Sequence, residues 1–321
     1  MNRRVFLGLT TALAILPMTA FALEKLPVVA SFSILGDMVA EVGGDRIVVT
    51  TLVGPDGDAH VYAPTPADAQ MIAGAKLVVV NGLGFEGWLD RLIEASEYKG
   101  PVVVATAGVT AREMTEEGHD EHAEGEALIE GEVVDPEDDH AGHGHGDSDP
   151  HAWQSLANAR IYVANIEAGL AAADPDGAAT YAANAAAYMA EIAVVEAEVI
   201  AAIAALPEAR RSVVTSHDAF GYYAAAYGLT FHAPEGISTE TEASAADVAA
   251  LITQMKAEAI TAVFVENISD SRLLEQITAE TGARVGGTLF SDALSGPEGP
   301  ASTYLGMMRH NTATLTVALG E

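Results

Sequence analysis

From Pro175 to Leu206 the chain runs for 32 residues dominated by alanine. Its larger or core-compatible side chains fall at positions 181, 185, 188, 192, 195, 199, 203 and 206. Steps of three and four keep those positions on one face, so the spacing predicts a single helix about 48 Å long at 1.5 Å per residue. Asp174 before Pro175 is a reasonable opening, and Pro207 stops the run. A helix of this length often signals a coiled coil. Here the chain on either side carries a different pattern, so the helix is expected to be a rigid spine joining two units.

That flanking pattern is an alternation of short β-branched runs with helical stretches. Before the spine, Val28–Ser33, Ile47–Val53, Leu77–Asn81 and Val102–Ala105 read as strands. Ile34–Val42, Thr65–Gly74, Trp88–Ser96 and Ser155–Leu170 read as helices, with Thr65 as an N-cap before Pro66. After it, Ser212–Ser216, Ala262–Val265 and Gly287–Phe290 read as strands, and Ala219–Tyr227, Ala245–Glu258 and Asp270–Thr281 as helices. Such alternation argues for parallel sheets covered by helices. The expected fold class is therefore α/β: two lobes, each with a parallel sheet flanked by helices, joined by one long rigid backbone helix. The boundaries would be 23–173 for the first lobe, 174–206 for the linking helix and 207–321 for the second lobe. No convincing internal repeat relates the two halves.

One segment breaks the pattern. Residues 112–150 hold 15 of the 46 acidic residues and five histidines, with no periodicity. This composition predicts a long mobile loop.

The N-terminus reads as a targeting segment. Arg3 and Arg4 precede an apolar run from Val5 to Ala22, which closes in the small-x-small pattern Ala20-Phe21-Ala22. A cleaved export signal over 1–22 fits better than a membrane anchor. Asn2 to Leu7 also fits a twin-arginine signal. Removal of the two arginines takes the net charge from −31 to about −33. That balance argues against nucleic acid or an anionic membrane as partner. There is no cysteine, hence no disulfide and no lipid-bearing cysteine. The expectation is a soluble protein of a Gram-negative periplasm, and any metal site in it must be built from His, Asp and Glu.

Outside the acidic segment there are five histidines. His60 follows a strand in the loop GPDGDAH, His151 sits in DPHAW before a helix, and His217 ends a strand in TSHD. Asp292 follows the last strand in LFSDAL. Ligands of open α/β sheets bind outside the carboxyl ends of strands. A single histidine there is more often a polar residue satisfied by its neighbours than a ligand. Four compatible positions, two in each half, point to a cation held between the halves. His232 and His310 are expected to be surface or helix-packing residues, and Trp88, Trp153 and the tyrosines to serve packing alone.

The stretches GPDGDAHVYAPTPAD (54–68), DPHAWQS (149–155), TSHDAFGYYAAAYG (215–228), GISTETEASA (236–245) and LFSDAL (289–294) together resemble the metal-receptor cluster of solute-binding proteins that serve ABC importers. This cluster includes high-affinity zinc and manganese uptake receptors. The resemblance covers essentially the whole mature chain. It implies a periplasmic, non-enzymatic receptor with metal in the interlobe cleft, bound by His60, His151, His217 and Asp292. It also implies a membrane permease as partner, with a periplasmic metallochaperone as a further one. A monomer is expected.

Manganese receptors of the cluster usually carry Glu where His217 stands. Three imidazoles and one carboxylate suit Zn²⁺, whereas Mn²⁺ prefers more oxygen, so zinc is the expected cargo. Zinc receptors of this kind often bear a His- and acid-rich loop. By that resemblance His119, His122, His140, His143 and His145 are expected to bind auxiliary zinc weakly, without being essential to the principal site. Glu240, Glu242 and Glu266 are candidates to orient an imidazole or are simply solvated carboxylates. A manganese or iron(II) receptor of the same fold is the nearest alternative. A zinc hydrolase is the more distant one, and it would need an open coordination position and a general base.

Overall fold

The computed structural model describes residues 24–113 and 148–320. The expected export signal lies outside the described residues, as do His119, His122, His140, His143 and His145.

The first lobe follows the predicted alternation: β1 (Leu26–Phe32), α1 (Ser33–Gly43), β2 (Ile47–Val53), α2 (Pro66–Gly74), β3 (Leu77–Val80), α3 (Leu89–Ala95) and β4 (Val102–Val104). Its sheet has the order β2-β1-β3-β4, and every neighbouring pair is parallel. The two central strands are apolar runs because both faces are covered: Val28 to Phe32 and Leu77 to Val80 are buried throughout. The start of α2 is set as the sequence suggests. The Asp68 carboxylate accepts the Thr65 backbone N–H at 2.6 Å and its hydroxyl at 2.8 Å, and Pro66 occupies the first turn.

Next come a short antiparallel pair, β5 (Arg112–Glu113) with β6 (Ser148–Asp149), then α4 (Leu156–Ala173) and α5 (Ala178–Ala204). The spine is one helix, as the spacing requires. Tyr181, Ala185, Tyr188, Ile192, Val195, Val199 and Ile203 are all buried on it. Its first turn departs from expectation. Pro175–Gly177 is a 3-10 turn, which leaves 27 α-helical residues, about 40 Å. The cause is local. Asp174 Oδ2 accepts from Arg46 at 2.7 Å and from the Tyr181 hydroxyl at 2.7 Å, which pins the chain as it turns out of α4. A Cβ on Gly177 would fall 2.4 Å from both the Arg46 and the Asp174 side chains, so a larger residue would have to displace that ion pair.

The second lobe comprises β7 (Ser212–Val214), α6 (Gly221–Tyr227), β8 (Thr230–His232), α7 (Ala245–Ala257), β9 (Ala262–Glu266), α8 (Arg272–Thr281), β10 (Arg284–Leu289) and α9 (Tyr304–Gly320). Its parallel sheet has the order β10-β9-β7-β8. The spine α5 packs against α1 and α4 of the first lobe and against α6 and α9 of the second, so it belongs to both.

Three features go beyond the sequence reading. β8 is three residues long, too short for periodicity to reveal. On α9, Asn311 and Thr312 stand among the buried positions and hide its apolar stripe. The third is a correction: residues 112–150 were expected to be patternless, yet their two ends pair in register, Arg112 with Asp149 and Glu113 with Ser148.

Candidate metal centre

Three ligands lie beyond the carboxyl ends of strands of the two parallel sheets, and the fourth follows the short β5–β6 pair. His60 stands in the loop after β2, and His151 follows β6. His217 lies just beyond β7 and Asp292 just beyond β10. The structure brings all four together, each offering one ligand atom within 4.8 Å of the others. His60 Nε2 is 3.2 Å from His151 Nε2 and 3.2 Å from Asp292 Oδ2. His217 Nε2 is 3.1 Å from Asp292 Oδ2, and His151 Nε2 is 3.6 Å from Asp292 Oδ1. A tetrahedron with legs of about 2.0–2.1 Å, the usual Zn–N and Zn–O lengths, has edges of about 3.3–3.4 Å. Three donor pairs, His60–His151, His60–Asp292 and His217–Asp292, stand at 3.1–3.2 Å, close to that edge length.

Burial makes the cluster costly without a cation. His151, His217 and Asp292 are fully buried, and His60 is 7% exposed. Asp292 Oδ1 is buried with no hydrogen-bond donor among the described residues. A buried carboxylate demands a compensating charge. In the metal-free protein protons supply it. Burial opposes charge on His151, but Asp292 and Asp149 outweigh it and push the imidazole up to about 9. Against the same burial penalty, Glu266 and Asp292 hold His217 well above the ordinary histidine range. Burial alone would raise Asp292, yet His151 and His217 keep it well below the usual carboxylate range.

Each of two rings is aimed from behind. Asp149 Oδ1 lies 2.9 Å from His151 Nδ1 and also accepts the His151 backbone N–H at 2.9 Å. Glu266 Oε1 accepts the backbone N–H groups of Ser216 and His217 at 2.8 and 2.9 Å. Its Oε2 sits 2.7 Å from His217 Nδ1, an ion-pair distance, although off the line of the ring N–H. These carboxylates leave each Nε2 facing the common centre. Of the three glutamates named as candidates to orient a ring, Glu266 is the one that stands against an imidazole. Glu240 and Glu242 are exposed at the rim. His232 and His310 behave as expected: His232 ends β8 beside Gln254, and His310 packs α9 onto β10 through the Thr288 carbonyl.

Aromatic rings wall the site. The Phe85 ring is 4.9 Å from that of His60, and the Trp153 ring is 5.3 Å from that of His151. Trp153 does more than pack, because its indole N–H donates to the Ser291 carbonyl at 2.9 Å. A cavity of about 720 Å³ opens beside His60, lined by Tyr62, Trp88, Ser148 and Glu240 among others. None of the other three ligands borders it.

The sequence profile of the family described as "ZnuA: Zinc-uptake complex component A periplasmic" matches residues 28–318. The chain belongs to the ZnuA family. Known ZnuA-type relatives differ in the metal they are named for. The chain is 31% identical over 298 residues to the iron-binding protein YfeA of Yersinia pestis, covering 93% of this chain and 88% of that one. It is similar to a manganese-bound variant of a periplasmic metal binding protein from Candidatus Liberibacter asiaticus, with a TM-score of 0.78, 31% identity and coverage of 92% and 100%. It also resembles the periplasmic zinc binding protein TroA of Treponema pallidum, with a TM-score of 0.80, 25% identity and coverage of 92% and 99%. ZnuA membership thus supports a receptor for a metal ion and leaves the choice of ion to the site itself.

Proposed function

We propose that this protein is a periplasmic receptor, not an enzyme, that captures Zn²⁺ at His60, His151, His217 and Asp292 and delivers it to the membrane permease of an ABC importer. The observation that carries this reading is the convergence of four buried donors from two lobes, each offering one ligand atom within 4.8 Å of the others. Three imidazoles and one carboxylate form a donor set that a borderline-soft, four-coordinate ion accepts. Four protein ligands fill such an ion's coordination shell, and catalytic zinc needs one position left for water, which counts against hydrolysis. Export through the segment 1–22, a monomeric state and delivery by a metallochaperone belong to the same reading. So does weak auxiliary binding by His119, His122, His140, His143 and His145.

A manganese or iron(II) receptor is the second reading. Asp292 turns both oxygens toward the imidazoles, Oδ2 to His60 and His217 and Oδ1 to His151. Bidentate coordination would add a fifth donor, which suits a harder ion. Metal analysis of the purified protein, followed by calorimetric titration of wild type and His217→Glu with Zn²⁺ and Mn²⁺, separates the two. The zinc reading expects wild type to prefer Zn²⁺ and the glutamate variant to shift toward Mn²⁺. An unchanged preference removes the argument for zinc.

A further inference from the structure

The aim of His151 is set by Asp149, and what sets Asp149 comes partly from the opposite lobe. The Tyr222 hydroxyl, on α6, accepts the Arg112 backbone N–H at 3.0 Å and donates to the Asp149 carbonyl at 3.1 Å. One side chain of the second lobe thus bridges both strands of the β5–β6 ladder. The Arg112 guanidinium lies 5.7 Å over the Tyr222 ring, and its Nε is 3.7 Å from Asp149 Oδ2. Asp149 therefore has one oxygen on His151 and the other on Arg112. The backbone of α6 closes in as well: a Cβ on Gly221 would stand 2.6 Å from Asp149 Oδ2 and 3.1 Å from Arg112 Nε.

Resting on the metal-receptor reading above, we propose that Arg112 and Tyr222 are positioning residues for metal binding. From across the lobe boundary they hold Asp149 in the orientation that makes His151 present Nε2 to the ion. Neither touches the ion. Separation of the lobes removes the Tyr222 bridge, frees Asp149 to turn, and loosens one imidazole at the moment the cleft opens. The coupling between lobe closure and metal retention then has a named path: Tyr222, Arg112, Asp149, His151.

The test is a double-mutant cycle on the purified protein with Zn²⁺ alone as probe, reading affinity by chelator competition and release by stopped flow. Tyr222→Phe removes one oxygen, and Arg112→Ala removes the cation. Each is expected to weaken Zn²⁺ binding roughly tenfold through faster release, with one-to-one stoichiometry kept. Arg112→Lys should recover most of the loss. In an Asp149→Asn background neither change should weaken binding further, because the residue they act through no longer holds the ring as an anion. The visible band of the Co²⁺-loaded protein should shift in Tyr222→Phe, as a merely structural role would not require. Wild-type affinity in Tyr222→Phe overturns the proposal, as does a loss of full size in the Asp149→Asn background. If Arg112→Ala fails to fold, Tyr222→Phe and Arg112→Lys decide the matter. A wild-type protein that takes up neither Zn²⁺ nor Mn²⁺ at this site sinks the receptor reading instead, so the two failures are distinct.

Discussion

Trp153 donates its indole N–H to the carbonyl of Ser291, at 2.9 Å, across a sequence separation of 138 residues. Trp153 is two residues past His151, and Ser291 is the residue before Asp292. The contact fixes a ligand of one lobe against a ligand of the other, with Gln154 donating to the same carbonyl at 2.8 Å. Trp153→Phe keeps an aromatic ring and deletes the donor. We expect a loss of about 1 kcal/mol in unfolding free energy, at the modest end because Gln154 still satisfies the oxygen. Urea denaturation of the metal-free protein measures it. The double change with Gln154→Ala should cost more than the two separate losses combined, since it orphans a buried carbonyl.

Glu266→Gln keeps the shape of the side chain that holds the His217 backbone and ring. If the amide oxygen continues to accept from Ser216 and His217, its NH₂ faces His217 Nδ1 and can no longer take a ring proton. Zn²⁺ affinity should fall about 10–100-fold while all four ligands remain. Chelator competition reads the change. Undiminished affinity would falsify the orienting role assigned to Glu266.

The metal-free and metal-bound proteins should respond to pH in opposite directions. His151 is raised from 6.5 to about 9 in the folded chain. A raised histidine contributes stability that is fully present below its unfolded value of about 6.5 and is lost as pH climbs through its folded value. The metal-free protein should therefore weaken between pH 6.5 and about 9. Metal requires the neutral ring, so affinity should rise across the same window, with proton release on binding. Thermal melts without metal, and zinc calorimetry in two buffers of different protonation heat, give both quantities. A binding reaction that releases no proton would contradict the argument.

Glu113 and Ser148 stand opposite each other in the β5–β6 ladder, so the described residues on either side of 114–147 are neighbours. Replacing 114–147 by Asn-Gly closes that ladder with a two-residue hairpin. The proposed auxiliary role predicts that the variant keeps one tight Zn²⁺ equivalent at wild-type affinity and loses only weaker equivalents. Calorimetric stoichiometry checks it, and loss of the tight equivalent would tie the segment to the principal site.

What the sequence revealed, and what it hid, follows from the range of each signal. The buried face of α5 was legible because Tyr181 through Ile203 repeat at a helical period over many turns. The sheets were legible because β1 and β3 are continuous apolar runs. His60, His151, His217 and Asp292 were legible from their motifs and their places at strand ends. The supports behind them were not. Asp149 looks like an ordinary turn carboxylate two residues before a histidine, and Tyr222 like one more aromatic in GYYAAAY. Their contact spans 73 residues and leaves no local period. β5 and β6 are two residues each, below any pattern, and the Tyr222 hydroxyl that bonds both strands comes from far along the chain.

The long helix α5 lies against elements of both halves. A beam fastened along its length to each of two blocks lets them rock only slightly before its own packing must break. On that mechanics, the opening that parts Tyr222 from the β5–β6 ladder is small, and a loaded and an empty molecule are expected to differ little in outline. A membrane partner that told them apart would then have to read local relief rather than overall shape.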